Sequence, residues 1–268
     1  MRCRLIRDRG YSGAENMARD EALLAAADPA WDLTLRLYDW SPPAVSLGYF
    51  QDPLEVLDTG ALKEEGFHWV RRETGGGAIF HHDEVTFSLS CPESPEILSY
   101  NREKSYGTVN AALTGALLQA GLTPALFAGE RQKEKNRNNL CFLTSTAYDV
   151  LYDGRKIAGS AQRRKNGRVL HHGSLFLSRD ATLYSKIFKW QGTDSLQNAV
   201  LSKTVTASEA LGRSISFEQM SEHIIRGFEA VFAAGFVRGG FSGPEEEEAS
   251  RSLEKYESAG WNAERRAI

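Results

Sequence analysis

Three segments of the chain carry residue types whose spacing could do chemistry. The first is Arg71-Arg72-Glu73-Thr74-Gly75-Gly76-Gly77-Ala78-Ile79-Phe80-His81. Three consecutive glycines leave main-chain N–H groups uncovered, so a ligand's chain or a phosphate can lie on the backbone with no Cβ in the way. The two arginines would add a fixed positive field at the mouth. The run fits neither a Gly-x-x-x-x-Gly-Lys-Ser phosphate loop nor a dinucleotide fingerprint, because both need a helix after the glycines and this sequence offers strand. Taken alone it equally suits a tight turn with a bulge.

The second segment, Asp153-Gly154-Arg155-Lys156-Ile157-Ala158-Gly159-Ser160-Ala161-Gln162, places one lysine beside four small residues after an Asp-Gly turn. Small residues leave room for a ligand, and Lys156 would supply its cation. Further on, His171-His172-Gly173-Ser174-Leu175 breaks an apolar strand pattern, and His81-His82 forms a second histidine pair. Adjacent strand residues point to opposite faces, so neither pair reads as a metal site, and no metal is expected. The third segment centres on Cys141. A cysteine is usually a small buried hydrophobe, but this one sits at the edge of a polar loop, with Lys156 expected on the next strand but one. A neighbouring ammonium favours thiolate over thiol, the form that acyl transfer through a thioester requires.

These residues need a scaffold, and the hydrophobic periodicity supplies one. Residues 3–7, 33–40, 44–48, 67–71, 78–80 and 85–90 read as strands, with a hairpin-like connection across Ser41-Pro42-Pro43 and a polar break at His81-His82-Asp83-Glu84. Residues 14–27 and 105–120 carry apolar positions at helical spacing, and Gly121 suits a C-cap. Residues 131–139 read as a solvated loop, and residues 148–151, 156–162 and 169–177 as further strands. After Ser178 the pattern becomes helical: Ser216-Phe217-Glu218-Gln219 is a capping box leading into Met220, Ile224, Phe228, Val231 and Phe232 on one face. A loop and a terminal helix follow from Gly239. The expectation is a catalytic domain over residues 1–215, with residues 216–268 a helical segment packed on it.

The composition excludes several classes. With 268 residues, 41% hydrophobic and 25% charged, the chain can bury a sizeable core. A net charge of -3 and the lack of aromatics among the basic residues of the polar loop speak against nucleic-acid binding. No apolar stretch approaches the roughly 20 residues of a membrane span, and residues 1–10 lack the apolar centre of a secretory signal. A cytoplasmic protein without membrane association is expected. Three cysteines, far apart and without a Cys-x-x-Cys pair, leave a reactive thiol as the one special use of cysteine.

Together these segments resemble the lipoate and octanoate protein transferase family, which shares its catalytic fold with biotin protein ligases. The glycine stretch is similar to the family's lipoyl-pocket loop, the Lys156 segment to its acyl-binding lysine strand, and His171 to Leu175 to the strand that follows. The resemblance implies a mixed α/β (α+β) fold of largely antiparallel or mixed sheets flanked by helices. It also implies substrate binding by Arg72, Gly75, Gly76, Gly77, Ala78, His81, Ala158, Gly159, Ser160, His172, Gly173 and Ser174, with Cys141 and Lys156 catalytic. Within the family, Ser46 to Gln51, Asp83 to Ser88 and the Cys141-Phe142 pair resemble the cysteine-dependent octanoyltransferases. Gly77 and residues 143–146 depart from that branch.

The resemblance therefore implies transfer of an octanoyl group from acyl carrier protein, through a Cys141 thioester, to a lysine of a lipoyl domain. Glycine cleavage H protein or a 2-oxoacid dehydrogenase E2 subunit would be such an acceptor, and no cofactor would be needed. The alternative is an ATP-dependent lipoate ligase, in which Gly77 and basic residues 131–137 would serve an acyl-phosphate anhydride with ATP and magnesium, and Cys141 would be structural. A non-catalytic acyl-binding protein is the third reading.

Overall fold

The computed structural model describes residues 1–126, 140–143 and 148–265. Its first half runs β1 (Cys3–Asp8), α1 (Gly13–Ala25), β2 (Leu33–Tyr38), β3 (Ala44–Leu47), α2 (Pro53–Val56), α3 (Thr59–Glu64), β4 (His68–Arg71), β5 (Ile79–His81), β6 (Asp83–Pro92), α4 (Arg102–Ala120) and β7 (Ala125–Leu126). A 3-10 turn at Cys141–Leu143 leads to β8 (Val150–Tyr152), β9 (Arg155–Lys165) and β10 (Arg168–Ser178). Then come α5 (Ala181–Ile187), α6 (Leu196–Lys203), α7 (Ala207–Leu211), α8 (Phe217–Phe232), β11 (Phe236–Arg238), α9 (Gly243–Glu257) and α10 (Ala259–Glu264).

Eight strands form one mixed sheet in the order β11-β1-β2-β6-β10-β9-β8-β7, and β4-β3-β5 form a second. The expected hairpin between residues 33–40 and 44–48 does not form. β2 already has β1 on one side and β6 on the other, so the chain leaves that sheet after Trp40 and β3 begins the second. The polar loop at 131–139 lies outside the described residues.

The large sheet is buried on both faces, and strand alternation gives the two faces different chemistry. Leu33, Leu35 and Leu37 of β2 and Val85, Phe87 and Leu89 of β6 meet Val109, Leu113 and Leu117 of α4 and Met220, Ile224 and Phe228 of α8 in one apolar core. The capping box at Ser216 starts α8 as its sequence suggests, with Ser216 accepting from the Gln219 amide. The opposite face carries Thr34, Arg36, Thr86, Ser88, His172 and Ser174, all buried. Such a face survives only if its polar groups find partners. Arg36 illustrates this: Nε donates to Asp8 at 2.8 Å, Nη1 to Asp20 at 2.9 Å and Nη2 to Asn16 at 2.6 Å.

Residues 216–268 carry α8, β11, α9 and α10. β11 extends the large sheet beside β1, α9 packs on α1, and Trp261 joins a third core with Met17, Trp40 and Val70. None of the described helices is long and apolar enough to cross a membrane.

Candidate active site

The glycine stretch links β4 to β5 and lies across the end of β3. Gly76 has φ +100°, and a Cβ on Gly48 would fall 1.9 Å from the Gly76 carbonyl oxygen, so the loop rests directly on the β3 backbone. The two arginines shape this loop instead of charging the mouth. Arg72 is buried, and its guanidinium donates to the Gly75 and Gly77 carbonyls at 2.9 and 2.8 Å, to the Ser46 carbonyl and hydroxyl at 3.0 Å each, and to Thr74 Oγ1 at 3.1 Å. Burial lowers its pKa from the ordinary value. Arg71 turns the other way, donating to the carbonyls of Gly48, Tyr49 and Gln51. In the first case the guanidinium fork is used up on three carbonyl and two hydroxyl oxygens, which fixes the loop's curvature.

Cys141 meets this loop from a different part of the chain. Its amide donates to the Ala78 carbonyl at 3.1 Å, while Phe142 and Leu143 anchor the turn in an apolar cluster with Phe80, Tyr184 and Phe188. The thiol is half-buried beside Gly76.

Lys156 comes from β9, two strands on in sequence. Positions 156 and 159 on a regular strand would face opposite sides, but the β8–β9 register shifts between Val150 and Leu151, pairing Val150 with Ala158 and Leu151 with Lys156. This bulge turns Lys156 onto the polar face with Gly159. The ammonium, 3% exposed, lies 3.1 Å from the Cys141 carbonyl oxygen, 3.9 Å from its sulfur and 2.8 Å from Asp149 Oδ1. Burial alone would depress its pKa, but the charges of Asp149 and of a Cys141 thiolate outweigh that effect and hold it above the ordinary value.

Gly159 makes the arrangement possible, since a Cβ there would fall 2.5 Å from Lys156 Cε, 2.8 Å from Nζ and 3.0 Å from Asp149 Oδ1. Gly159→Ala is therefore expected to drive the ammonium off the thiol. Acyl transfer should fall by about 10²-fold, with stability reduced by roughly 1–3 kcal/mol, as read by steady-state kinetics alongside thermal melting.

The cavity lies between the polar face of the large sheet and the second sheet, with about 610 Å³ of empty space, part of it open to solvent. Cys141, Lys156, Arg72, Gly75, Gly76, His81, Gly159, Ser160, His172, Gly173 and Ser174 line it. Gly77, Ala78 and Ala158 stand outside the lining. Gly77 and Ala78 contribute carbonyls to Arg72 and to the Cys141 amide, and Ala158 points into the apolar core opposite. His171 and His172 face opposite sides of β10: His171 meets Ser160 and Gln162, whereas His172 joins Asp20 at 2.9 Å and Thr74 at 2.8 Å.

Three lining or supporting residues, Asp149, Asp20 and Trp40, had no signal of their own in the sequence, whereas Ser46 and Thr86 lie in segments that marked the resemblance without a role of their own. His81 and Glu84, expected in a polar break, are buried and 2.7 Å apart. Trp40 stacks on His81 with ring centroids 3.8 Å apart and donates from Nε1 to Thr86 Oγ1 at 2.8 Å.

A half-buried thiol beside a buried ammonium at the wall of a largely apolar cavity, under a glycine loop, defines a site for an acyl chain and its carbonyl carbon. Residues 12–229 match the lipoyl protein ligase A/B catalytic domain, and the chain belongs to that family. It is 36% identical to the octanoyltransferase LipM of Symbiobacterium thermophilum over 93% of this chain and 94% of that protein. It is 35% identical to LipM of Moorella thermoacetica over 92% of each. Among solved structures, a bipartite lipoate protein ligase from Thermoplasma acidophilum superposes with a TM-score of 0.84 at 22% identity, covering 100% of this chain and 98% of that one. A lipoate-protein ligase A bound with ATP gives 0.82 at 24% identity, covering 98% and 99%. These likenesses establish the mixed α/β fold of the lipoate ligases.

Proposed function

We propose that this protein is an octanoyltransferase of protein lipoylation, which moves the acyl group from an acyl carrier protein through a Cys141 thioester to the lysine of a lipoyl domain. The observation that carries the reading is the meeting of Cys141 and Lys156 inside the cavity. In the first step the Cys141 thiolate attacks the donor's thioester carbonyl. A new C–S bond forms, the bond to the carrier's sulfur breaks, and the carrier leaves as a thiolate that takes a proton from water. In the second step the neutral acceptor amine attacks the Cys141 thioester. An amide bond forms, the bond to Sγ breaks, the nitrogen gives its proton to water, and Cys141 returns as thiolate. Lys156 remains an ammonium throughout, stabilising negative charge on sulfur and on the carbonyl oxygen. No ATP enters either step.

The direct test combines purified protein, octanoyl-carrier protein and an apo lipoyl domain. Octanoylation of the domain is expected equally with and without ATP. Transfer only from free lipoate with ATP, accompanied by lipoate-dependent exchange of pyrophosphate into ATP, would make the protein a ligase instead.

The sheet register also sets an expected chain length. Gly159, Ser174, Thr86 and Tyr38 form one row across β9, β10, β6 and β2, and all four line the cavity. Trp40, bonded to Thr86, thus stands two strands from Gly159, about 10 Å away, comparable with an extended octanoyl chain. Trp40→Ala should lengthen the channel. At about 0.8 kcal/mol per buried CH₂, decanoyl transfer relative to octanoyl is expected to rise by roughly 15-fold, measured as a ratio of kcat/KM values. An unchanged ratio would remove Trp40 as the stop.

A further inference from the structure

An ammonium as deeply buried as that of Lys156 needs a permanent counter-charge, because a lone buried cation sheds its proton. Before reaction a Cys141 thiolate can share that task. Once Cys141 carries an acyl group its sulfur is neutral, and the charge must be balanced by something else. The carboxylate that the structure places on Lys156 is Asp149, 2% exposed and 2.8 Å from Nζ. Asp149 is held from two sides. It directly precedes β8, so the hairpin through Asp153-Gly154 carries it across to β9. From α4, Asn110 donates to the Tyr148 carbonyl at 3.1 Å, and Tyr106 stacks on Tyr148 with centroids 4.4 Å apart.

We propose that Asp149 is a positioning residue of the transfer reaction: its carboxylate aims the Lys156 ammonium at Cys141 and keeps it charged while Cys141 is acylated. This rests on the Cys141 thioester reading above. Among the described residues, the other charged or titratable groups facing the pair do not replace Asp149. Arg72 is a cation spent on loop carbonyls, and burial pushes the Tyr106 phenol up to about 12, so it stays neutral. With Asp149 ionised the acyl-enzyme has an ammonium ready to receive negative charge on the departing sulfur. Without it, burial governs Lys156 and the proton is lost at a lower pH.

The test uses isolated octanoyl-enzyme and follows its deacylation by an apo lipoyl domain for wild type and Asp149→Asn. The acceptor's own ionisation cancels in the ratio of the two rates. That ratio is expected to fall tenfold or more between about pH 7 and about pH 10, below the ordinary lysine value of about 10.4, and Asp149→Glu is expected to restore a flat ratio. A ratio depressed equally at every pH, or not depressed at all, overturns the proposal, since a merely structural aspartate would give the first. If Asp149→Asn does not fold, ¹⁵N NMR of lysine-labelled wild-type octanoyl-enzyme decides. An ammonium signal for Lys156 persisting at about pH 10 supports the proposal, and a neutral amine there overturns it. Wild type that takes no octanoyl group on Cys141 overturns the underlying function. Wild type that does, with a flat ratio, overturns the role of Asp149 alone.

Discussion

Cys141→Ala is expected to reduce transfer to background while leaving the fold intact. The thiol is half-buried and its loss opens little cavity, so stability should change by less than about 1 kcal/mol. Intact-mass and peptide mass spectrometry of wild type with donor and no acceptor should show one octanoyl adduct, on Cys141. The other two cysteines provide the internal control. Cys3 and Cys91 are buried in the apolar core, and burial pushes the Cys91 thiol up to about 12 and raises that of Cys3. In both, burial disfavours the thiolate. An adduct on Cys91, or transfer surviving in Cys141→Ala, would disprove the assignment.

Lys156→Ala and Lys156→Arg should each lose about 10²–10³-fold in transfer, the usual cost of removing a donor from a developing oxyanion. Arginine keeps the charge, but its planar fork is longer than the slot between Asp149 and Gly159 allows. The alanine variant has a further consequence. It also takes from the buried Asp149 carboxylate the ammonium that lies 2.8 Å away, so stability should fall with activity. Iodoacetamide should modify Cys141 more slowly in Lys156→Ala than in wild type, because the ammonium 3.9 Å from the sulfur is gone. Identical alkylation profiles would show that the two groups are not coupled. Adding Asp149→Asn to Lys156→Ala should recover much of the lost stability but none of the activity, which separates the two effects in a single cycle.

The sequence revealed its strands and helices where one face is apolar. Val85, Phe87 and Leu89 mark β6 by alternation, and Met220, Ile224 and Phe228 mark α8 by helical spacing. It concealed the polar side of the same sheet, because Thr86, Ser88 and Ser90 look the same to a periodicity argument whether they face water or packed protein. The candidate site was legible as three segments, since glycine runs, a lysine among small residues and a lone cysteine each suggest a chemistry. Their supports were not. Asp149 reaches Lys156 only through a bulged hairpin, and a bulge moves one residue to the other face without leaving a mark in composition. Arg72 read as a positive charge at the mouth of the site because nothing local indicates that its donors close on the loop carbonyls. The passage of β3 into a second sheet was hidden too, since it depends on both neighbours of β2 being taken by distant strands.

The strand leading into the glycine loop is fastened by α10. Arg71 on β4 receives an indole hydrogen bond from Trp261 at its carbonyl, gives its amide proton to Asn262 Oδ1 at 2.8 Å and extends Nε and Nη2 to the Asn262 carbonyl. β4 is an edge of its sheet, and α10 occupies that edge in place of a neighbouring strand. Translation delivers Arg71 some 190 residues before its partners. A nascent chain therefore brings every described residue of the cavity lining out of the ribosome before α10, which fastens the strand leading into the loop that frames them.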